Sequence, residues 1–185
     1  FWPDPRPVLL GRWCVPEPEL WTPAEQDRPI EPYPFDIPGR LLAAATDVDV
    51  EAERLLIVLT DALNALHGTA HPPRYWRILI GPWLVTFLEV VRERYACLRG
   101  ALDRHGAVDT VALSPEDFVV SDNMSAFIER LGTDVYNLQL YSRLLSLMGV
   151  GCRTQRLEVS RPRLALRYRF RTAGKALWRR FRERA

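Results

Sequence analysis

The stretch Val108-Asp109-Thr110-Val111-Ala112-Leu113, closed by Ser114-Pro115-Glu116, decides the fold class. It is a short run rich in β-branched and apolar residues bounded by turn formers, the pattern of a strand buried in a sheet. Ser114-Pro115-Glu116 then reads as a cap and first helical turn. With this run as a strand, the helical segments around it belong to an α/β domain. Without it, they form a helical bundle.

Downstream, a helix is expected from about Asp122 to Leu131. A second has Thr133 as its cap, Val135, Leu138, Ser142, Leu145 and Met148 along one side, and Gly149 at its end. Upstream, Trp76, Ile80, Trp83, Phe87, Val91, Tyr95, Leu98 and Leu102 keep helical spacing to about Arg104. Pro72 and Pro73 suit the opening of that helix, where a missing N–H costs nothing. Gly81-Pro82 predicts a kink or a junction of two helices, because proline removes a ladder bond and disfavours helical geometry just before it. Before it lies a helix from about Asp47 to His67, with Leu55, Leu59, Ala62, Leu63 and Leu66 on one face. Thr46 is its expected cap and Gly68 its left-handed stop.

Ten of the fifteen prolines fall within the first forty residues, so residues 16–40 are expected to form an irregular wrap anchored by Trp21, Tyr33 and Phe35. Inside this region Val8-Leu9-Leu10-Gly11-Arg12-Trp13 reads as a second buried strand. The expected fold class is therefore a helix-rich α/β domain over residues 1–152, with a small, mostly parallel Rossmann-like sheet containing Val8–Trp13 and Val108–Leu113 and flanked by long helices. Beyond it, Leu164, Leu166, Tyr168 and Phe170 alternate with polar or small residues as in a strand. Leu177, Trp178 and Phe181 gather on one side of a helix expected over Thr172 to Arg184.

The formal charge of +2 conceals an asymmetry: residues 153–185 carry twelve basic and two acidic side chains, so this tail or linker is +10 and the rest of the chain is −8. A basic tail calls for an anionic partner, and Leu177, Trp178 and Phe181 among arginines fit an anionic membrane surface as well as they fit packing on another domain. Nucleic acid is disfavoured, because the body is acidic and carries no recognised binding motif. No apolar stretch is long enough to cross a bilayer. Cys14, Cys97 and Cys152 are far apart and odd in number, which favours reduced thiols and a cytoplasmic setting, with the inner face of the membrane as the site of any lipid contact. His67 and His71 are interrupted by Gly68 and Pro72, so no metal site is expected.

The least ordinary segment is His71-Pro-Pro-Arg74-Tyr75-Trp76-Arg77. Two arginines sit in the first turn of a helix whose N-terminus is already positive, with no carboxylate inside that turn. Two explanations are open: an Asp or Glu from elsewhere pairs with them, or they hold a phosphate or carboxylate with the opening amides. Trp76 and Trp83 share a helical face and serve either the core or sugar stacking. Asn64 and His67 end the preceding helix and bring an amide and an imidazole to the same hairpin end. His67 is the candidate catalytic base, the alternative being a histidine that caps helix carbonyls. No glycine-rich phosphate loop is present.

Asn64, His67 and Arg74-Tyr-Trp-Arg-Ile-Leu-Ile-Gly-Pro-Trp-Leu84, with Gly11-Arg-Trp-Cys14 upstream and Asp134-Val-Tyr-Asn-Leu-Gln-Leu-Tyr-Ser142 downstream, resemble the N-terminal half of a transferase family of bacterial surface-polysaccharide and O-antigen gene clusters. The likeness runs from about residue 8 to residue 145. It implies a glycosyltransferase of two Rossmann-like halves, of which this chain is the acceptor-side or scaffold part and whose second half takes a nucleotide-sugar donor. No cofactor is implied for this chain itself. The implied partners are that second half, as chain or partner, and a sugar-phosphate or lipid-linked acceptor. Asn64, Arg74, Trp76, Arg77 and Asn137 are the candidate substrate-binding residues, with His67 the candidate catalytic residue. Tyr33-Pro-Phe-Asp36 departs from the His-Trp-Asp-like segment expected there. The competing reading is a non-enzymatic module whose basic tail contacts an anionic partner.

Overall fold

The computed structural model describes residues 8–11, 14, 30–106 and 110–155. Most of the proline-rich wrap, the alternating segment Leu164 to Phe170 and the arginine-rich helix expected beyond it lie outside the described residues. The elements are α1 (Arg40–His67), α2 (Pro73–His105), β1 (Val111–Leu113), a 3₁₀ turn (Pro115–Asp117), α3 (Met124–Leu131), α4 (Asp134–Leu147) and β2 (Arg153–Gln155).

Two long helices form because apolar side chains recur every third or fourth residue. On α1 the buried Ala44, Val48, Ala52, Leu56 and Thr60 are each four apart, a spacing that keeps them on one face. That stripe carries the helix back past the expected cap at Thr46, whose hydroxyl instead donates to Leu42 O at 3.1 Å. The real N-cap is Gly39 at φ 80°, and Gly68 at φ 63° ends the helix as expected. Helix α2 runs as one helix through Gly81-Pro82. Pro82 is exposed while Trp76 and Leu84 on either side are buried, so core packing of the flanking turns offsets the lost ladder bond.

Helix α2 is the spine of the molecule. Its first half packs on α1 through Ala52, Leu56, Trp76 and Leu84. Trp83 stacks on Phe87 at 5.2 Å and meets Phe127 edge-on, joining the cluster of Phe127, Tyr136 and Leu140 from α3 and α4. Its second half presents Leu98 to Leu144 and Leu145 of α4. Asn123 and Thr133 cap α3 and α4, each accepting from an amide three residues on, the expected device for an opening turn.

The expected Rossmann-like sheet is contradicted. Among the described residues, the strands are two segments of three residues, β1 and β2, paired in parallel with Val111 opposite Arg153. Of the Val8–Trp13 run, the described residues 8–11 do not share this sheet: Leu9 makes an isolated parallel bridge to Ile30, with Glu31 N donating to Leu9 O at 2.8 Å. The reason lies in where the apolar side chains find cover. Leu10 packs against the Leu98–Leu144 cluster of the helices, and a turn from Gly11 O to Cys14 N ends the extended run. The domain is helix-rich, with burial supplied by helix on helix, and the short ladder is pinned to α4 by Ser142, whose Oγ accepts from Leu113 N at 2.8 Å.

Candidate functional site

The hairpin end between α1 and α2 brings together three of the expected residues, Asn64, His67 and Trp76. Asn64 organises it: its Oδ1 accepts from Trp76 Nε1, His71 N and Thr69 Oγ1, each at 3.0 Å, and its Nδ2 donates to His71 O at 2.8 Å. Every polar atom of this amide is therefore engaged in closing the turn. Trp76 is buried in the α1–α2 core with its indole N–H satisfied by Asn64. His67 lies exposed against it, the rings 5.9 Å apart and 26° from parallel. His71 stacks on Tyr75 at 3.9 Å.

The two arginines separate. Arg77 forms a two-pronged ion pair with Glu53 of α1, both contacts 2.5 Å, so its charge is compensated from the neighbouring helix. Arg74 is exposed and has no carboxylate partner among the described residues. No Asp or Glu occurs between Asp61 and Glu89, so the cation sits in a stretch free of local negative charge. The opening turn of α2 offers few donors of its own. Pro73 has no N–H, and Tyr75 N is taken by Pro72 O at 2.9 Å. An anion held here would depend on the Arg74 guanidinium more than on the helix end.

Asn137 is not at this hairpin end. It links α4 to the middle of α2, where its Oδ1 accepts from Arg94 Nε at 3.1 Å and Nη2 at 3.0 Å, and its Nδ2 donates to Leu131 O and Thr133 O at 2.9 Å each. Arg94, largely buried, also pairs with Glu93. Around this pair collect Tyr33, Cys14, Cys97 and Tyr141. Burial pushes the Tyr33 hydroxyl up to about 12, helped by the charge of Glu93 and a hydrogen bond to it. Burial likewise pushes the Cys97 thiol up to about 11 and raises Cys14 and Tyr141. The Tyr141 hydroxyl is buried without a hydrogen-bond partner among the described residues. At neutral pH these groups are protonated, which suits a neutral polar network around one ion pair better than a nucleophile.

Sequence reasoning named Asn137 but missed the rest of this centre, because its members come from four separate places in the chain: Cys14, Tyr33, α2 and α4. The available signal was Glu93-Arg94 within the apolar run of α2. The same holds for Glu31, a buried carboxylate held by Arg104 and by His105 at 2.7 Å. Among the described residues no group of His, Cys, Asp and Glu could hold a metal ion, and no helix is long and apolar enough to cross a membrane.

No curated protein and no solved structure matches this chain. A model of one protein family, described as the LIC12162 family transferase, matches residues 1–185. With that match spanning all its residues, the chain belongs to the LIC12162 family of transferases.

Proposed function

We propose that this chain is the acceptor-side or scaffold part of a glycosyltransferase that builds bacterial surface polysaccharide at the cytoplasmic face of the membrane. The observation that carries this reading beyond the family's transferase character is the state of Arg74: an exposed cation with no carboxylate partner among the described residues, at a hairpin end pinned by Asn64. Such a group suits the phosphate of a sugar-phosphate or lipid-linked acceptor. The exposed imidazole of His67 is then placed to take a proton from an acceptor hydroxyl as its oxygen bonds to the sugar, while the nucleoside diphosphate leaves the donor with the bonding electron pair. The donor is a nucleotide sugar bound outside this hairpin. Trp76 and Asn64 support the site from behind by fixing the turn. Arg77 and Asn137 act at their ion pair and amide network, holding α1 and α4 to α2.

A strain deleted for the gene should lose or shorten its surface polysaccharide on a gel. The intact gene should restore it, whereas Arg74→Gln or His67→Gln should not. Unaltered polysaccharide in the deletion strain would overturn the reading.

A further inference from the structure

The outer face of α2 over its first three turns is apolar and uncovered. Tyr75, Ile78, Leu79 and Pro82 share that face by helical spacing and all are exposed, Ile78 at 70% and Leu79 at 56%. Arg74 stands at its upper edge, and residues 62–88 contain no Asp or Glu. Exposed aliphatic side chains are ordinary singly, but a contiguous group beside an uncompensated cation is not.

We propose that this face of the hairpin docks on an anionic lipid bilayer, Ile78 and Leu79 entering the boundary between headgroups and acyl chains while Arg74 meets lipid phosphate. Three features favour lipid. Arg77 is neutralised by Glu53, and the charge left at the edge of the face is Arg74, without a carboxylate partner among the described residues, which complements an anionic surface. Its centre is aliphatic, of no use against a polyanion such as nucleic acid but suited to an acyl region. An aromatic residue, Tyr75, shares the face at the end that carries the cation, its ring stacked on His71 at 3.9 Å, and amphipathic aromatic rings favour the level of the headgroups. The hairpin behind it is rigidly closed by Asn64, so insertion costs little ordering. With no described helix able to cross a membrane, this is a contact from one side. It goes beyond the transferase reading and holds whether or not the chain transfers sugar.

The test is co-sedimentation of the full chain with vesicles of phosphatidylglycerol and phosphatidylcholine, against vesicles of phosphatidylcholine alone. The double variant Ile78→Gln and Leu79→Gln leaves every charge in place, including those of the arginine-rich residues beyond 155. It should weaken binding to the anionic vesicles at least tenfold with its melting temperature unchanged, because both side chains are already more than half exposed. An environment-sensitive fluorescent amino acid at position 78 should shift to the blue on those vesicles. Unchanged affinity of the double variant, absence of the blue shift, or equal binding to the neutral vesicles would each overturn the proposal, the first by placing the contact elsewhere on the chain.

Discussion

The indole N–H of Trp76 donates a 3.0 Å hydrogen bond to Oδ1 of Asn64, closing the α1–α2 hairpin from its inner side. The same oxygen serves His71 N and Thr69 Oγ1. Asn64→Leu would strand a buried indole donor and the turn amides together. The expected cost is about 2–4 kcal/mol, given about 1–3 kcal/mol for each buried group left unpaired and partial rescue by water at the exposed side. Urea unfolding measures it. Asn64→Asp keeps the acceptor and should lose less; equal losses for the two would mean that the side-chain donor to His71 O, not the shared acceptor, closes the turn.

Glu31 gives a pH dependence with a defined sign. Burial alone would raise its carboxyl, but hydrogen bonds from Arg104 and His105 and their charges outweigh this and hold it below the usual glutamate range. A carboxyl depressed in the folded state contributes stability above its unfolded value, near 4.3, and that stability is lost as pH falls through the folded value. Thermal unfolding between about pH 5 and pH 3 should therefore fall more steeply for the native chain than for Glu31→Gln. Parallel curves would show that the ion pair anchoring Leu9–Glu31 to the end of α2 contributes nothing in solution.

Cys97 is buried and its thiol is pushed up to about 11. Iodoacetamide at pH 8 should leave it unmodified in the folded protein and alkylate it fully in denaturant, because both access and thiolate are withheld by folding. Mass spectrometry of peptides reads the outcome directly. Rapid native alkylation at Cys97 would contradict the packing of α2 against Tyr33 and Tyr141.

The helices were legible because their signals are local. Gly68 and Thr133 act where the sequence placed them, since a left-handed stop and a hydroxyl cap depend on a few neighbouring residues. The start of α1 was misplaced because Thr46 looks like a cap in isolation, whereas the four-residue spacing of Ala44, Val48 and Ala52 continues through it. The sheet failed for a related reason. A run such as Val8-Leu9-Leu10 announces burial without naming its partner, and Leu10 found that partner in helices. Val111–Leu113 is a strand as read, yet its mate Arg153–Gln155 carries no apolar pattern of its own. At the hairpin end, Asn64, His67 and Trp76 were brought together as their positions around the turn dictate. The pairing of Arg77 with Glu53, 24 residues earlier, depends on the register of two packed helices, which no window within α2 contains. Asn137 was singled out, but its bond to Arg94, 43 residues earlier, was hidden by the same non-locality.

Arg74 is the anion-accepting cation of the proposed site at the hairpin end. Calorimetric titration of the full chain with inorganic diphosphate, alone and as Arg74→Gln, tests it most directly. The native chain should bind diphosphate, and Arg74→Gln should weaken that binding at least tenfold, about 1.4 kcal/mol, with its melting temperature within about 1 °C because an exposed side chain with no carboxylate partner contributes little to folding. Diphosphate binding that is absent from the native chain or unaltered by Arg74→Gln, or a large loss of stability in the variant, would contradict the account and make this arginine a structural group.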